Sequence, residues 1–264
     1  MTTPQTWAAI GFEVEITGDG SPSLRLCRDE DKGESMHHSG GAAEETELIY
    51  GRVIRRCFAQ IPEPHFLSVG LGLGYVELTV AREAVGREDL RFTMESFELV
   101  PELRDYFIEW LEGGQSLSPE ITAVYDQVLQ FVLKDQSLAP EEVKSHLLQA
   151  FRQGRWRLRG PLEESQEFMA RAQAVLFDAF SAKTTPVLWT EEFLSEFFTK
   201  ATADDALIST YASRTTLKRA LKTAGFFVEV REGFKGKRNS TLGLKGLFQP
   251  TTSPAPAGTS SHIR

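Results

Sequence analysis

The stretch Phe66 to Tyr75, FLSVGLGLGY, constrains the fold of this chain more than any other. An apolar run ends in three glycines, Gly70, Gly72 and Gly74, and Val76 to Ala84 can wind as a helix directly after them. Strand, glycine turn and helix is the arrangement with which an α/β protein brings backbone against a nucleotide-like ligand. Glycine suits such a turn because it accepts positive φ and puts no Cβ between backbone and ligand.

The rest of the chain alternates strands and helices. Phe12, Val14 and Ile16, a Gly18–Pro22 turn, then Leu24 and Leu26 read as a β-hairpin. Residues 31–47 are polar and glycine-rich and read as a loop, with a helix starting near Glu44 and running through Phe58. Beyond the glycine turn, Leu90–Glu98 reads as a second strand, and Pro101 opens a helix through Leu111. Residues 112–150 carry two helix starts, Ser118-Pro119-Glu120 and Ala139-Pro140-Glu141-Glu142. Strands are expected at 155–159, Ala174–Asp178 and Ala206–Tyr211, and helices over 190–200 and 214–224, the latter stopped by Gly225. A last hairpin joins Phe226–Arg231 to Ser240–Leu244. The pattern predicts a doubly wound parallel sheet closed by an antiparallel hairpin. The expected division is a β element and loop over 1–43, an α/β domain over 44–248 with a helical insertion at 112–150, and a disordered tail over 249–264.

Composition narrows the class. A chain of 264 residues, 41% hydrophobic and 25% charged, can bury one large core or a core with a small appendage. Cys27 and Cys57 form neither a CxxC pair nor a metal-ligand spacing, so a reducing cytoplasm is the expected compartment. The first residues lack signal-peptide character, and no run approaches the ~20 apolar residues of a membrane helix. A net charge of −8 excludes a uniformly basic nucleic-acid binder, yet the charge is uneven. Between Arg214 and Lys245, nine Lys/Arg face two acids, Glu229 and Glu232, and Arg152, Arg155, Arg157 and Arg159 form a second cluster. Each cluster is either a solvated face or a phosphate-facing surface.

In such folds ligands sit at the carboxyl ends of the strands. The glycines end the first parallel strand. Glu98 ends the second, placed to accept both hydrogen bonds of a ribose diol, and Asp178 ends the fourth. The spacing is G-x-G-x-G and not G-x-G-x-x-G, because Glu77 stands where a third dinucleotide glycine would follow Gly72 and Gly74. That leans away from NAD and towards S-adenosylmethionine. His37 and His38 with Glu44 and Glu45 could be read as a metal cluster, but adjacent histidines point apart in regular structure, and no metal is expected. Neither a Gly-x-Ser-x-Gly elbow nor a Walker A lysine is present, so hydrolase and nucleoside-triphosphatase readings have no support.

Five segments between Gly41 and Arg238 resemble, in order, the bacterial tRNA 5-methylaminomethyl-2-thiouridine methyltransferase family. They are Gly41-Ala42-Ala43-Glu44-Glu45-Thr46, the glycine turn, Ser96-Phe97-Glu98, Asp178-Ala179-Phe180-Ser181-Ala182-Lys183 with Pro186 and Trp189, and Ala224-Gly225-Phe226 with Gly233 to Arg238. The resemblance implies a Rossmann-like S-adenosylmethionine-dependent methyltransferase fold with a small N-terminal β element and a C-terminal antiparallel hairpin. It implies methyl transfer to the 5-aminomethyl group of a tRNA wobble uridine in the cytoplasm. In many bacteria the domain is fused to an FAD oxidase; this chain looks like the standalone form, with a separate FAD-dependent or aminomethyl-forming enzyme upstream.

Carried onto this sequence, the resemblance gives Gly70, Gly72, Gly74, Glu98 and Glu45 to the cofactor. Asp178 would hydrogen-bond the attacking amine and take its proton, Phe180 would pack against the uracil ring, and Trp189 would wall the pocket. Lys183, Lys237 and Arg238 would face the anticodon-loop phosphates. Two positions depart from the family pattern: Ser68 replaces an acid two residues before the first glycine, and Pro161 replaces an aspartate that reads the adenine amino group. Two alternatives stand beside this reading: a small-amine methyltransferase of the same fold, and a non-catalytic RNA-binding or scaffold protein.

Overall fold

The computed structural model describes residues 5–28, 31–87, 91–236 and 239–250. β1 (Phe12–Ile16) and β2 (Pro22–Arg28) pair antiparallel, Phe12 opposite Leu26 and Ile16 opposite Pro22. A third strand, β3 (Asp31–Ser35), adds to β2 where the sequence reads as loop. Its five residues include no large apolar side chain, so the pattern is silent there. Backbone pairing along a bulged β2 makes the strand, and Gly33 sits against the Leu26 carbonyl where any Cβ would collide.

The turn of this hairpin caps the next helix. Thr17 Oγ1, Ser21 Oγ and Asp19 Oδ2 each accept, at 3.0 Å, a backbone N–H from Ala42, Ala43 and Glu44. With its caps supplied from outside, α1 (Ala42–Thr46) starts two residues before the expected Glu44. It passes through a π-helical turn, Glu47–Gly51, into α2 (Arg52–Phe58).

β4 (His65–Val69) is buried along its whole length, and the glycine turn leads into α3 (Tyr75–Ala84). β5 (Thr93–Phe97), α4 (Pro101–Leu111), α5 (Pro119–Val132), α6 (Pro140–Arg152) and β6 (Trp156–Arg159) follow. The second half holds β7 (Ala172–Phe177), α7 (Glu191–Ala201), β8 (Thr202–Thr210), α8 (Thr215–Thr223), β9 (Phe227–Arg231) and β10 (Ser240–Lys245). The sheet order is β6-β5-β4-β7-β8-β10-β9, parallel from β6 to β8 and closed by the antiparallel β9–β10 hairpin. The chain builds outward from β4 to β6 and then returns to place β7 beside β4. That reversal is the topological switch point at which such sheets bind ligands. The expected strand start at Leu90 and the expected tail from 251 onward lie outside the described residues.

One core cluster joins Trp7 and the small N-terminal sheet (Phe12, Leu24) to α1–α6, and a second packs α7 and α8 on the other face. Residues 112–150 fill the first cluster: Tyr125 stacks on Trp110 at 5.4 Å and meets Trp7 at 5.7 Å. Of the 152–159 arginines, Arg155 and Arg159 are engaged within the fold and Arg152 forms a surface pair. Arg159 pairs with the fully buried Glu95 at 2.6 Å, Arg152 with Glu112 at 3.2 Å, and Arg155 lies over Phe92. Arg152 and Arg157 remain exposed at the surface. Among the described residues no helix is long and apolar enough to cross a membrane.

Under the glycine turn lies a buried polar chain. Trp156 Nε1–H donates to Ser96 Oγ at 3.0 Å, and Ser96 Oγ donates to Glu77 Oε1 at 2.7 Å. Glu77 is fully buried, and its Oε2 finds no hydrogen-bond partner among the described residues. Burial pushes its carboxyl up to about 7, with Ser96 pulling the other way. Between the ordinary value of 4.5 and about 7 the folded chain therefore holds a proton that the unfolded chain has lost. The stability this confers is present below that window and lost as pH rises through it. Glu77→Gln should flatten the fall in unfolding free energy between pH 5 and pH 8 by on the order of 3 kcal/mol. Denaturant titrations of parent and variant at the two pH values test this; identical pH dependence would show that Glu77 does not titrate in the fold.

Candidate active site

A cleft of about 460 Å³ opens at the switch point, over the carboxyl ends of β4, β5, β7 and β8. Gly70 sits at its base with φ +97°, and a Cβ there would lie 2.6 Å from the Asp178 carbonyl oxygen. Gly70 N–H donates to Phe97 O at 2.9 Å and Asp178 N–H to Val69 O at 2.8 Å, so this glycine ties three strand ends together. Gly72, at φ +52°, also lines the cleft, where a Cβ would press on Met36 Sδ at 3.1 Å. Gly74 does not. Its missing Cβ makes room for the Phe107 ring, so the third glycine serves the packing of α4 and not the cleft, a correction to the sequence reading.

Glu98 is buried at the end of β5. Its Oε2 accepts Gly72 N–H at 3.0 Å and its Oε1 accepts Val100 N–H at 2.9 Å. Burial raises its proton affinity, and these two N–H groups pull it back. A carboxylate with two oxygens still has acceptor capacity after two such bonds. Phe97, Leu99, Pro161 and Leu162 wall this end of the cleft. A backbone cradle at Gly70–Gly72, an acceptor at Glu98 and apolar walls fit a nucleoside: hydroxyls on the carboxylate, base between the walls. Pro161 offers this wall a ring and a carbonyl but no side-chain hydrogen-bonding group.

The other end is acidic. Tyr50 OH donates to Asp178 Oδ1 at 2.7 Å, and Glu45 accepts His38 N–H at 2.7 Å. Glu34 accepts Ser181 N–H at 2.8 Å, Ser181 Oγ at 3.0 Å and Thr184 Oγ1 at 2.6 Å, strapping β3 to the loop after β7. Asp178 opens only onto the cleft. The protein packed round it pushes its carboxyl up to about 7; Tyr50 opposes this, and Glu45 and Glu77 add to it. Glu45 is likewise raised by burial. Burial pulls His37, beside them, down to about 4; its Nδ1 lies 2.9 Å from Ser23 Oγ, so the ring is neutral. Among the described residues no group of three or more His, Cys, Asp or Glu could hold a metal.

The structure thus brings Gly70, Gly72, Glu98, Glu45, Asp178 and Phe180 to one cleft. Trp189 is not among its lining residues. The indole is buried edge-on against Phe177 and donates Nε1–H to Phe180 O at 2.7 Å, so it braces the loop from behind. Lys183 is exposed outside the cleft, and Lys237 and Arg238 lie outside the described residues. Tyr50, Glu34, Met36, His37 and Tyr211 also line the cleft, and no local pattern in the sequence assigns them to it.

Comparison with known proteins bears on this geometry. A family model described as S-adenosyl-L-methionine-dependent methyltransferase matches residues 124–246. The tRNA 5-methylaminomethyl-2-thiouridine biosynthesis bifunctional protein MnmC of Aromatoleum aromaticum is 26% identical over 94% of this chain. The chain spans only 37% of that relative, and 60% of an uncharacterized Methanocaldococcus jannaschii protein that is 22% identical over 89% of the chain. The crystal structure of MnmC2 from Aquifex aeolicus has the same fold, with a TM-score of 0.58 at 23% identity over 89% of this chain and 70% of that one. Most of the chain is thus similar to MnmC, in sequence and in fold. The MnmC-like domain is therefore a Rossmann-like enzyme whose cofactor is S-adenosylmethionine.

The glycines separate two effects. Gly72→Val should abolish S-adenosylmethionine binding in isothermal titration, because it places a β-branched side chain at positive φ on the cleft wall. Gly74→Ala should act through the core, lowering Tm by displacing Phe107. Parental affinity in Gly72→Val would move the cofactor away from this turn.

Proposed function

We propose that the MnmC-like domain methylates the primary amine of 5-aminomethyl uridine at the wobble position of tRNA, with Asp178 as the proton acceptor. The observation that carries this reading is the charge of the cleft. Among its described lining residues Glu34, Glu45, Glu98 and Asp178 are carboxylic acids, and none is Lys or Arg. Such a lining suits a substrate that arrives as an ammonium ion. The name of the Aromatoleum relative supports tRNA as the molecule bearing it.

S-adenosylmethionine supplies the methyl group as a sulfonium carbon open to in-line attack. The residues of the chain prepare the amine. An ammonium has no lone pair, so one proton must leave before the C–N bond forms, and Asp178 is the acid recessed in the cleft to take it. A proton affinity near neutrality matches a base that must be ionised when the substrate binds and protonated after transfer. Gly70, Gly72 and Glu98 hold the nucleoside end of the cofactor, with Glu45 towards its other end. Phe180, half-buried on the lining, packs against the uracil ring.

The anticodon-loop phosphates would meet α8 in addition to Lys183, Lys237 and Arg238. Arg214, Lys218 and Lys222 are spaced four apart, none is ion-paired among the described residues, and the helix carries no acid. Arg214 lies over Trp189, which braces the cleft loop, so the stripe starts at the site and runs away from it. The enzyme would work in the cytoplasm, on a substrate made by an FAD-dependent or other aminomethyl-forming activity.

Asp178→Asn should keep the fold and bind S-adenosylmethionine nearly normally while single-turnover methylation of aminomethyl tRNA falls by ~10²–10⁴-fold. Parental turnover would sink the assignment, and a melting curve run alongside separates loss of chemistry from loss of fold. RNA binding should weaken with salt, and replacing Lys218 and Lys222 by Gln should flatten the log–log slope by about 0.7–0.9 for each phosphate no longer neutralised. A small-amine enzyme would show no RNA binding that depends on Lys218 and Lys222.

A further inference from the structure

Tyr50 sits inside the π-helical turn Glu47–Gly51 that joins α1 to α2. A π turn fits one extra residue into the helix and swings the side chains that follow. The helix thereby sends Tyr50 to the cleft, while Ile49 and Val53 join the core. The turn is pinned from the sheet: the Ile49 carbonyl accepts Ser209 Oγ of β8 at 2.6 Å. The Tyr50 hydroxyl is buried, donates to Asp178 Oδ1 at 2.7 Å and lies 3.3 Å from the Phe177 carbonyl at the end of β7. Asp178 Oδ2 has no donor among the described residues.

We propose that Tyr50 is the positioning residue for Asp178: its hydroxyl occupies Oδ1, turns Oδ2 to the substrate amine, and keeps the carboxyl in its proton-accepting form. The inference rests on reading Asp178 as the proton acceptor. The groups that act on Asp178 come from every packed element. Glu45 of α1 and Glu77 of α3 both favour its protonated form, and Tyr211, after β8, is coupled to it. Tyr50 is the group among them that favours the ionised form. Without that donor, a recessed carboxyl between two others holds its proton at neutral pH and cannot take another. Tyr50 itself stays protonated, because burial and the Asp178 charge push its ionisation well above the usual phenol range. It acts as a fixed dipole and not as a relay.

The test is the pH dependence of single-turnover methyl transfer to aminomethyl tRNA, for the parent, Tyr50→Phe, Asp178→Asn, and protein with 3-fluorotyrosine, a more acidic phenol and stronger donor, at position 50. Loss of a hydrogen bond to a charged group should move the acid limb of Tyr50→Phe up by about 1–2 pH units. Turnover at pH 6 should then fall by about 10–100-fold and return towards the parent by about pH 9, with S-adenosylmethionine affinity unchanged. The 3-fluorotyrosine enzyme should shift its limb the opposite way. A limb that stays put in both variants overturns the inference, as does a loss in Tyr50→Phe that is equal at every pH. If Tyr50→Phe melts early, the direction of the 3-fluorotyrosine shift decides alone. Parental turnover in Asp178→Asn removes the proton-acceptor reading beneath it; an inactive Asp178→Asn with an unmoved Tyr50 limb removes this inference only.

Discussion

The approach of Gly70 to the Asp178 carbonyl is the contact on which the rest of the site depends. β4 and β7 run parallel and adjacent, yet the chain leaves them in opposite directions, so their ends must meet before they part. They meet at a separation that a Cβ at position 70 would forbid. From that seam the glycine turn carries Gly72 N–H to Glu98 on one side, while the β7 exit carries Asp178 to Tyr50 on the other. A cofactor cradle and an acid pocket therefore share one floor, and neither can shift without the other.

The small N-terminal sheet closes this site and is not an ornament on it. Its turn caps α1, which carries Glu45 towards the cleft, and Glu34 on its last strand holds the loop that carries Phe180. Removing those caps would leave three N–H groups of α1 without partners, at about 0.5–2 kcal/mol for each cap. The π turn beyond it would then lose the fixed start that sets where Tyr50 lands.

The succession of strands and helices and most element bounds were legible in the sequence because they rest on local signals: apolar runs, proline starts and glycine stops. Asp178 was legible for the same reason, as an acid closing the most apolar strand. What escaped depends on partners far away in the chain. Tyr50 reads as one more apolar position on an amphipathic helix until Asp178, 128 residues on, is beside it. Glu34 sits in a polar stretch whose strand has no apolar signature, and its partners are 147 and 150 residues away. Gly74 looks like part of a binding motif, yet its constraint comes from Phe107. Trp189 reads as a pocket wall because its loop does border the cleft, but its ring points into the core behind that loop.

Glu98 and Asp178 stand on either side of the same glycine turn, and their surroundings push them towards different work. Both are removed from bulk water, which favours the protonated acid in each. Glu98 is answered by two backbone N–H groups, which cannot rotate away, and by the nearby charge of Arg104, all favouring its ionised form against burial. Asp178 is answered by a single phenol and faces two further carboxyls, so its charge stays finely balanced near neutral pH. A pair of acids separated in this way by their donors is the pattern expected when one must stay an anchor and the other must gain and lose a proton. The departure at Ser68 fits the same logic. An acid at that buried position would add one more carboxyl beside Glu77 and load further negative charge under the turn, raising the affinity of Asp178 for its proton.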